Sequence, residues 1–282
     1  MLALRTVTYC TENEGTPIQE RLRSYYNLLD ANLLTLGGGL TTRFIKKLPL
    51  GKTPEVNQLL PVSVVPLTAE LVLTWNKMVQ PLIDLHYRHD GDLDLKKVDR
   101  KIRADVGWNW KNLLKLGWIQ TEQSRVLQGQ GVGEAVGYSI VATSLEGQIF
   151  PIGMLLGVPK FQTTIDSRTS HRNLVWFLSN APIEVFEKLI PCSPAPTSLA
   201  ESLLDSAIVD ALSRYGINEM LLHADPKGGD KLLHFYDKKC GMERLSEKNG
   251  PVSRTRRSDI SRYFYFSPPG AESFCSKFDT LR

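Results

Sequence analysis

Residues 173–180, NLVWFLSN, are apolar at the five central positions, and Pro182 stands two residues beyond the run. A run this short, rich in branched and aromatic side chains and lacking polar alternation, reads as a strand covered on both faces, hence central in a sheet. Such a strand needs neighbours at both edges, and the flanking sequence offers them. Residues 137–144 (GYSIVATS) and 149–158 (IFPIGMLLGV) read as two strands joined by a turn at 145–148 (LEGQ), an antiparallel hairpin. Downstream, Leu199, Leu203, Leu204, Ala207, Ile208, Ala211 and Leu212 line one face of a helix over 198–215, and Gly216 is its expected stop. A short strand at 219–224 (EMLLHA) ends at Asp225 and Pro226. A second helix at 230–239 (DKLLHFYDKK) closes near Gly241, and a last strand at 263–266 (YFYF) is terminated by Pro268 and Pro269.

The first half follows a different period. Ile18, Leu22, Tyr25, Leu28 and Leu29 recur at helical spacing, after which Gly37, Gly38 and Gly39 and a basic stretch with Lys46, Lys47 and Pro49 follow. Residues 1–60 are therefore expected to be an extension or arm, and 61–282 the main domain. Residues 67–87, with Leu71, Trp75, Met78, Val79, Leu82 and Ile83, suit a helix packed on something larger. The charged stretch from Asp90 to Asp105 reads as solvated, and Trp108 and Trp110 as core anchors.

Composition excludes several classes. With 42% hydrophobic and 23% charged residues the chain is expected to fold, and a net charge of +4 does not demand a nucleic acid. Cys10, Cys192, Cys240 and Cys275 show no paired spacing of a zinc ribbon or disulfide framework, so reduced thiols in the cytoplasm are expected. No apolar run approaches bilayer length, and the first ten residues lack a secretory pattern, so no membrane association is expected.

The order of hairpin, central strand, helix, strand, helix and strand brings a helix start to the end of the central strand. Free N–H groups there suit a pyrophosphate. The run 203–207 (LLDSA) and the segment 230–242 (DKLLHFYDKKCGM) are similar to the third helix and the closing motif of the GNAT (Gcn5-related N-acetyltransferase) superfamily, over about the last half of the chain. The resemblance implies an α+β fold, a GNAT-like mixed, mostly antiparallel sheet flanked by helices with a helical N-terminal extension. It also implies an acyl-CoA-dependent N-acyltransferase that moves an acetyl group from acetyl-CoA (coenzyme A) directly to an amine of a small molecule or protein. Phe177, Leu178 and Ser179 would bind the pantetheine arm through their main chain, and Ser198, Leu199 and Ala200 the pyrophosphate. Tyr236 would be the acid, although five residues separate it from Gly241 where the family usually has four. Glu134 and Asp166 are the candidate bases.

Against the family's phosphate loop, Ala195 stands for the basic residue and Ser198 for the first glycine, while Ser198 and Glu201 form the pattern of a capping box. These departures support the alternative of a catalytically inactive GNAT-like fold serving as a protein or nucleic-acid binding module. Gln128, Gly131 and Gly133 (QGQGVG) match the loop by letter but precede a strand and are set aside. His86 and His89 lack further partners for a metal, so no metal site is expected. His223 and His234 fall in the family-like region, and either could line a substrate cleft. Arg254, Arg256, Arg257 and Arg262 beside Tyr263 and Tyr265 read first as a solvated loop, with a nucleic-acid contact admitted but not favoured.

Overall fold

The computed structural model describes residues 35–37, 43–51, 58–126, 133–144, 147–190, 194–246, 249 and 260–282. The chain enters through β1 (Thr35–Leu36), β2 (Lys47–Pro49), β3 (Leu59–Pro61) and β4 (Ser63–Thr68). Thr68 caps the next helix by accepting a hydrogen bond from Leu71 N, and α1 (Ala69–Thr74) runs through a π-turn (Trp75–Val79) into α2 (Gln80–His86). Short strands β5 (Tyr87–Arg88) and β6 (Lys101–Ile102) precede α3 (Trp110–Val126). Then come β7 (Val136–Thr143), β8 (Ile149–Ile165), β9 (Arg168–Asn180), α4 (Ile183–Lys188), α5 (Leu199–Tyr215) and β10 (Met220–His223). The last elements are α6 (Gly229–His234), a second π-turn (Phe235–Cys240), β11 (Glu243–Arg244), β12 (Tyr263–Phe266) and α7 (Pro268–Ser276).

Eight strands form one sheet in the order β1-β4-β7-β8-β9-β10-β12-β11. Of its pairs only β9 with β10 is parallel; the others are antiparallel, so the fold is α+β with a mixed, mostly antiparallel sheet between helices. Successive side chains of a strand point to opposite faces. Gly153 of β8 lies against Leu203 and Leu199 of α5, whereas Leu156 of the same strand packs on Gly117 of α3, which assigns these two helices to opposite faces. The described part of the first sixty residues joins this core, with Leu36, Ile45 and Leu48 buried in it. The helix expected around residues 18–29 lies outside the described residues.

Pro268 and Pro269 do end β12, but they also open α7, where a missing N–H costs nothing and Ser267 accepts from Gly270 N. The β7–β8 hairpin continues into a second one, because β8 extends to Ile165 and turns at Asp166 and Ser167, both with positive φ, into β9.

Helix α5 is buried along most of its length, including its polar residues. Each of its buried carboxylates has a cation. Asp205 takes two hydrogen bonds from Arg282, at 2.8 and 3.0 Å, and Asp210 takes bonds from Arg214 and the Tyr138 hydroxyl. Burial raises the Asp205 carboxyl above its ordinary value, against the lowering effect of Arg282. Arg282→Ala should therefore destabilise the fold by about 3–5 kcal/mol. Removing the cation raises this carboxyl further, and protonation relieves the unpaired charge. The deficit against wild type should thus be largest at pH 8 and shrink towards pH 5; an equal deficit in denaturant titrations at both would refute the assignment.

Candidate functional site

Strands β9 and β10 pair only at Asn173, Leu174 and Val175, whereas β9 stays paired with β8 as far as Asn180. The sheet therefore opens beyond Val175. At that point β9 carries an extra residue, since Leu156 faces Phe177 but Gly157 faces Val175, leaving Trp176 as a bulge. The strands approach so closely here that a Cβ on Gly157 would sit 2.8 Å from the Leu174 carbonyl oxygen.

The bulge decides which main-chain groups face the opening. Ala181 N donates to the Ile152 carbonyl, so by strand alternation residues 177 and 179 also pair towards β8, and residues 178 and 180 turn their peptide groups the other way. Arg103 Nη2 donates to the Asn180 carbonyl from that other side, at 2.7 Å. Leu178 N–H and C=O thus face away from β8, at a position beyond the last β10 pair at Val175. Of Phe177, Leu178 and Ser179, then, only Leu178 presents its main chain to the cleft.

A cleft of about 290 Å³ fills the opening, floored by Val175, Trp176 and Leu178. One wall is Ala200 at the start of α5 with Leu232, Phe235 and Tyr236, and the other is Tyr87, Arg103, Asp105 and Trp108. The capping box expected at α5 does not form. Ser198 adopts a left-handed conformation (φ 60°) and its side chain makes no cap, while Glu201 pairs with Lys239 at 2.5 Å. The N–H groups of Leu199, Ala200 and Glu201 are left without partners among the described residues, as at any uncapped helix start. Lys239 offsets the carboxylate, so the donors suit an anion such as a pyrophosphate.

Tyr236 is buried and lines the cleft, its ring tilted against Phe264 at 5.5 Å. Burial, with the nearby Cys240, Asp105 and Asp225, holds its phenol well above the ordinary range and keeps it protonated. Its five-residue separation from Gly241 is taken up by the π-turn Phe235–Cys240, which accommodates one more residue per turn than an α-helix. Gly241 still ends the helix, at φ 77°.

Several cleft residues escaped the sequence reading. Asp105 is buried, not solvated: it accepts two hydrogen bonds from Arg103, at 2.7 and 2.8 Å, and one from Ser179 Oγ. Trp110 is a core anchor as expected, but Trp108 is half-buried, meets Phe177 edge-on at 5.4 Å and forms part of the cleft wall. Apart from the local pairing of Arg103 and Asp105, nothing in the charged stretch marks these residues, because β9 reaches them from some seventy positions away.

Of the other candidates, His223 alone among the described residues reaches the cleft. Glu134 is exposed and pairs with Arg125, ahead of β7. Asp166 sits at the β8–β9 turn, ten residues from Trp176 and thus about 33 Å along the strand. His223 lines the cleft, and His234 does not. His89 bonds the Val106 carbonyl, and no group that could hold a metal is found among the described residues. Gln128 and Gly131, and Arg254, Arg256 and Arg257, lie outside the described residues. No described helix is long and apolar enough to cross a membrane.

The chain matches no protein-family model and no curated protein sequence. Among solved structures it is similar to the KacTA–DNA complex, at 14% identity and a TM-score of 0.36, over 61% of this chain and 87% of that one. It is also similar to an AtaT mutant toxin bound to the C-terminus of the antitoxin AtaR and acetyl-CoA, at 12% identity and a TM-score of 0.35, over 58% of this chain and 81% of that one. A third similarity is to AtaTR bound with AcCoA, at 13% identity and a TM-score of 0.32, over 61% and 95% of the two chains. At this degree of likeness the site has to be read from its own geometry.

If the π-turn only absorbs a residue, deleting the exposed Lys238 should convert it to a regular helix turn. The shortened chain should fold, with a stability change within about 1 kcal/mol, or roughly 2–4 °C in Tm. A larger loss in thermal unfolding would show that the wide turn is itself needed for packing.

Proposed function

We propose that this chain is an acyl-CoA-dependent N-acyltransferase that moves an acetyl group from acetyl-CoA directly to an amine of a small molecule or protein. The observation that supports it most is the parting of β9 from β10 after Val175, beside a helix start whose N–H groups are uncommitted. In this reading Leu199 and Ala200, following the turn at Ser198, hold the pyrophosphate through main-chain N–H groups. Leu178 pairs with the amide-bearing arm, while Phe177 and Ser179 keep the strand in register with β8.

When bound, acetyl-CoA supplies a thioester carbonyl open to attack. An attacking amine would form the new C–N bond as the C–S bond breaks, Tyr236 would give its phenolic proton to the departing sulfur, and the proton the amine loses would pass to solvent, from which the phenol is restored. A phenol raised by burial stays protonated at neutral pH, as a proton donor must. Glu134 and Asp166 stand away from the cleft, so the amine's proton is assigned to neither.

A second reading, a non-catalytic binding module, draws on the Glu201 carboxylate in the first turn of α5, where it opposes a phosphate unless Lys239 offsets it. Isothermal titration with acetyl-CoA separates the two: saturable binding is expected for the transferase, and its absence would leave the binding module. With an amine found by thermal-shift screening, Tyr236→Phe should lower kcat by about 10²–10⁴-fold while acetyl-CoA affinity holds. Because the phenol's titration lies far to the alkaline side, kcat of the wild type should show no fall from loss of this proton up to about pH 9. Unchanged turnover in the variant would remove Tyr236 from the acid role.

A further inference from the structure

Arg103 and Asp105 form a strap across the outer end of the cleft, held from several sides. Gln80 Nε2 donates to the Asp105 carbonyl at 2.8 Å and to Asp84 at 2.9 Å, and its own oxygen accepts from Trp75 Nε1 at 3.2 Å. Asp84 also accepts from Gly107 N, at 2.7 Å. The Asp105 carboxylate is held by Ser179 Oγ and by both Nε and Nη2 of Arg103, and the guanidinium stands over the Tyr87 ring at 5.1 Å. So fixed, Nη2 occupies the Asn180 carbonyl.

Beyond the bulge, residues 178 and 180 both turn their main chain to the cleft, one strand repeat or about 6.6 Å apart. An extended arm carrying amides can pair with such an edge as an added strand, in either of two positions that differ by this repeat. With the Asn180 carbonyl taken, only Leu178 presents both its donor and its acceptor to the cleft. We propose that Arg103, locked by Asp105, is a positioning residue that selects the position of the coenzyme's arm on β9, so that its reacting end lies at Tyr236 instead of one repeat away. This rests on the acyltransferase reading of the cleft.

The test is residue-resolved amide exchange by NMR, with and without acetyl-CoA, beside isothermal titration. The double variant Arg103→Met with Asp105→Asn removes the strap without leaving an unpaired buried charge. The single variant Arg103→Lys keeps the charge but not the fork that spans Asp105 and Asn180, and serves should the double variant not fold. In wild type, acetyl-CoA should slow exchange at Leu178 by about tenfold or more and leave Asn180 nearly unchanged. In the variants protection should spread to Asn180. Affinity should stay within about threefold, while transfer to the screened amine falls by roughly 10²-fold, as misplacement of reacting atoms by about an ångström can cause. Wild-type protection patterns and turnover in a folded variant would overturn the positioning role while leaving the acyltransferase reading intact. No binding and no protection in wild type would overturn both.

Discussion

Everything at the cleft follows from one extra residue in β9. Trp176 shifts the register of β9, and from there the peptide groups that had faced β10 face β8, and those that had faced β8 face open space. A parallel neighbour matched to the first half of β9 cannot follow the second half. The strands separate not because a side chain wedges them apart but because their hydrogen-bonding patterns no longer agree. The separation leaves uncommitted backbone groups in a partly buried place, which a folded chain tolerates where water or a ligand completes them.

The covering elements manage the polarity that this creates. Helix α5 carries three buried carboxylates, and each is met by a cation: Glu201 by Lys239, Asp205 by Arg282 and Asp210 by Arg214. On the opposite side Asp105 is met by Arg103. Such pairs contribute little net stability compared with apolar packing, but each fixes a geometry, since breaking one leaves a charge where water cannot reach. At the cleft, the Arg103–Asp105 pair holds the end of β9 through Ser179 and Asn180.

The sheet and helices of the second half were readable because each carries its own period: the apolar run ending near Pro182, the stripe from Leu199 to Leu212 with Gly216 behind it, and the tyrosine and phenylalanine strand. The β8–β9 hairpin was not, since Asp166 and Ser167 adopt positive φ without the glycine or asparagine that usually announces it. Of the candidate site, Tyr236, Leu178 and Ala200 were named through the family resemblance, and these three line the cleft. The wall made by Tyr87, Arg103, Asp105 and Trp108 was not, because their role arises from contact with β9 and leaves no spacing in the sequence. Ser198 and Glu201 misled for a related reason: the capping pattern is local, but Lys239, brought in by the fold, competes for the carboxylate.

The wide turn between Phe235 and Cys240 bears on how a helix takes in an added residue. A helix that gains one residue can pass the surplus along its length, turning every later side chain to a new heading, or confine it to a single loosened coil. Here the widening is confined to Phe235–Cys240, so that Tyr236 faces the cavity while Gly241 closes the helix directly behind it.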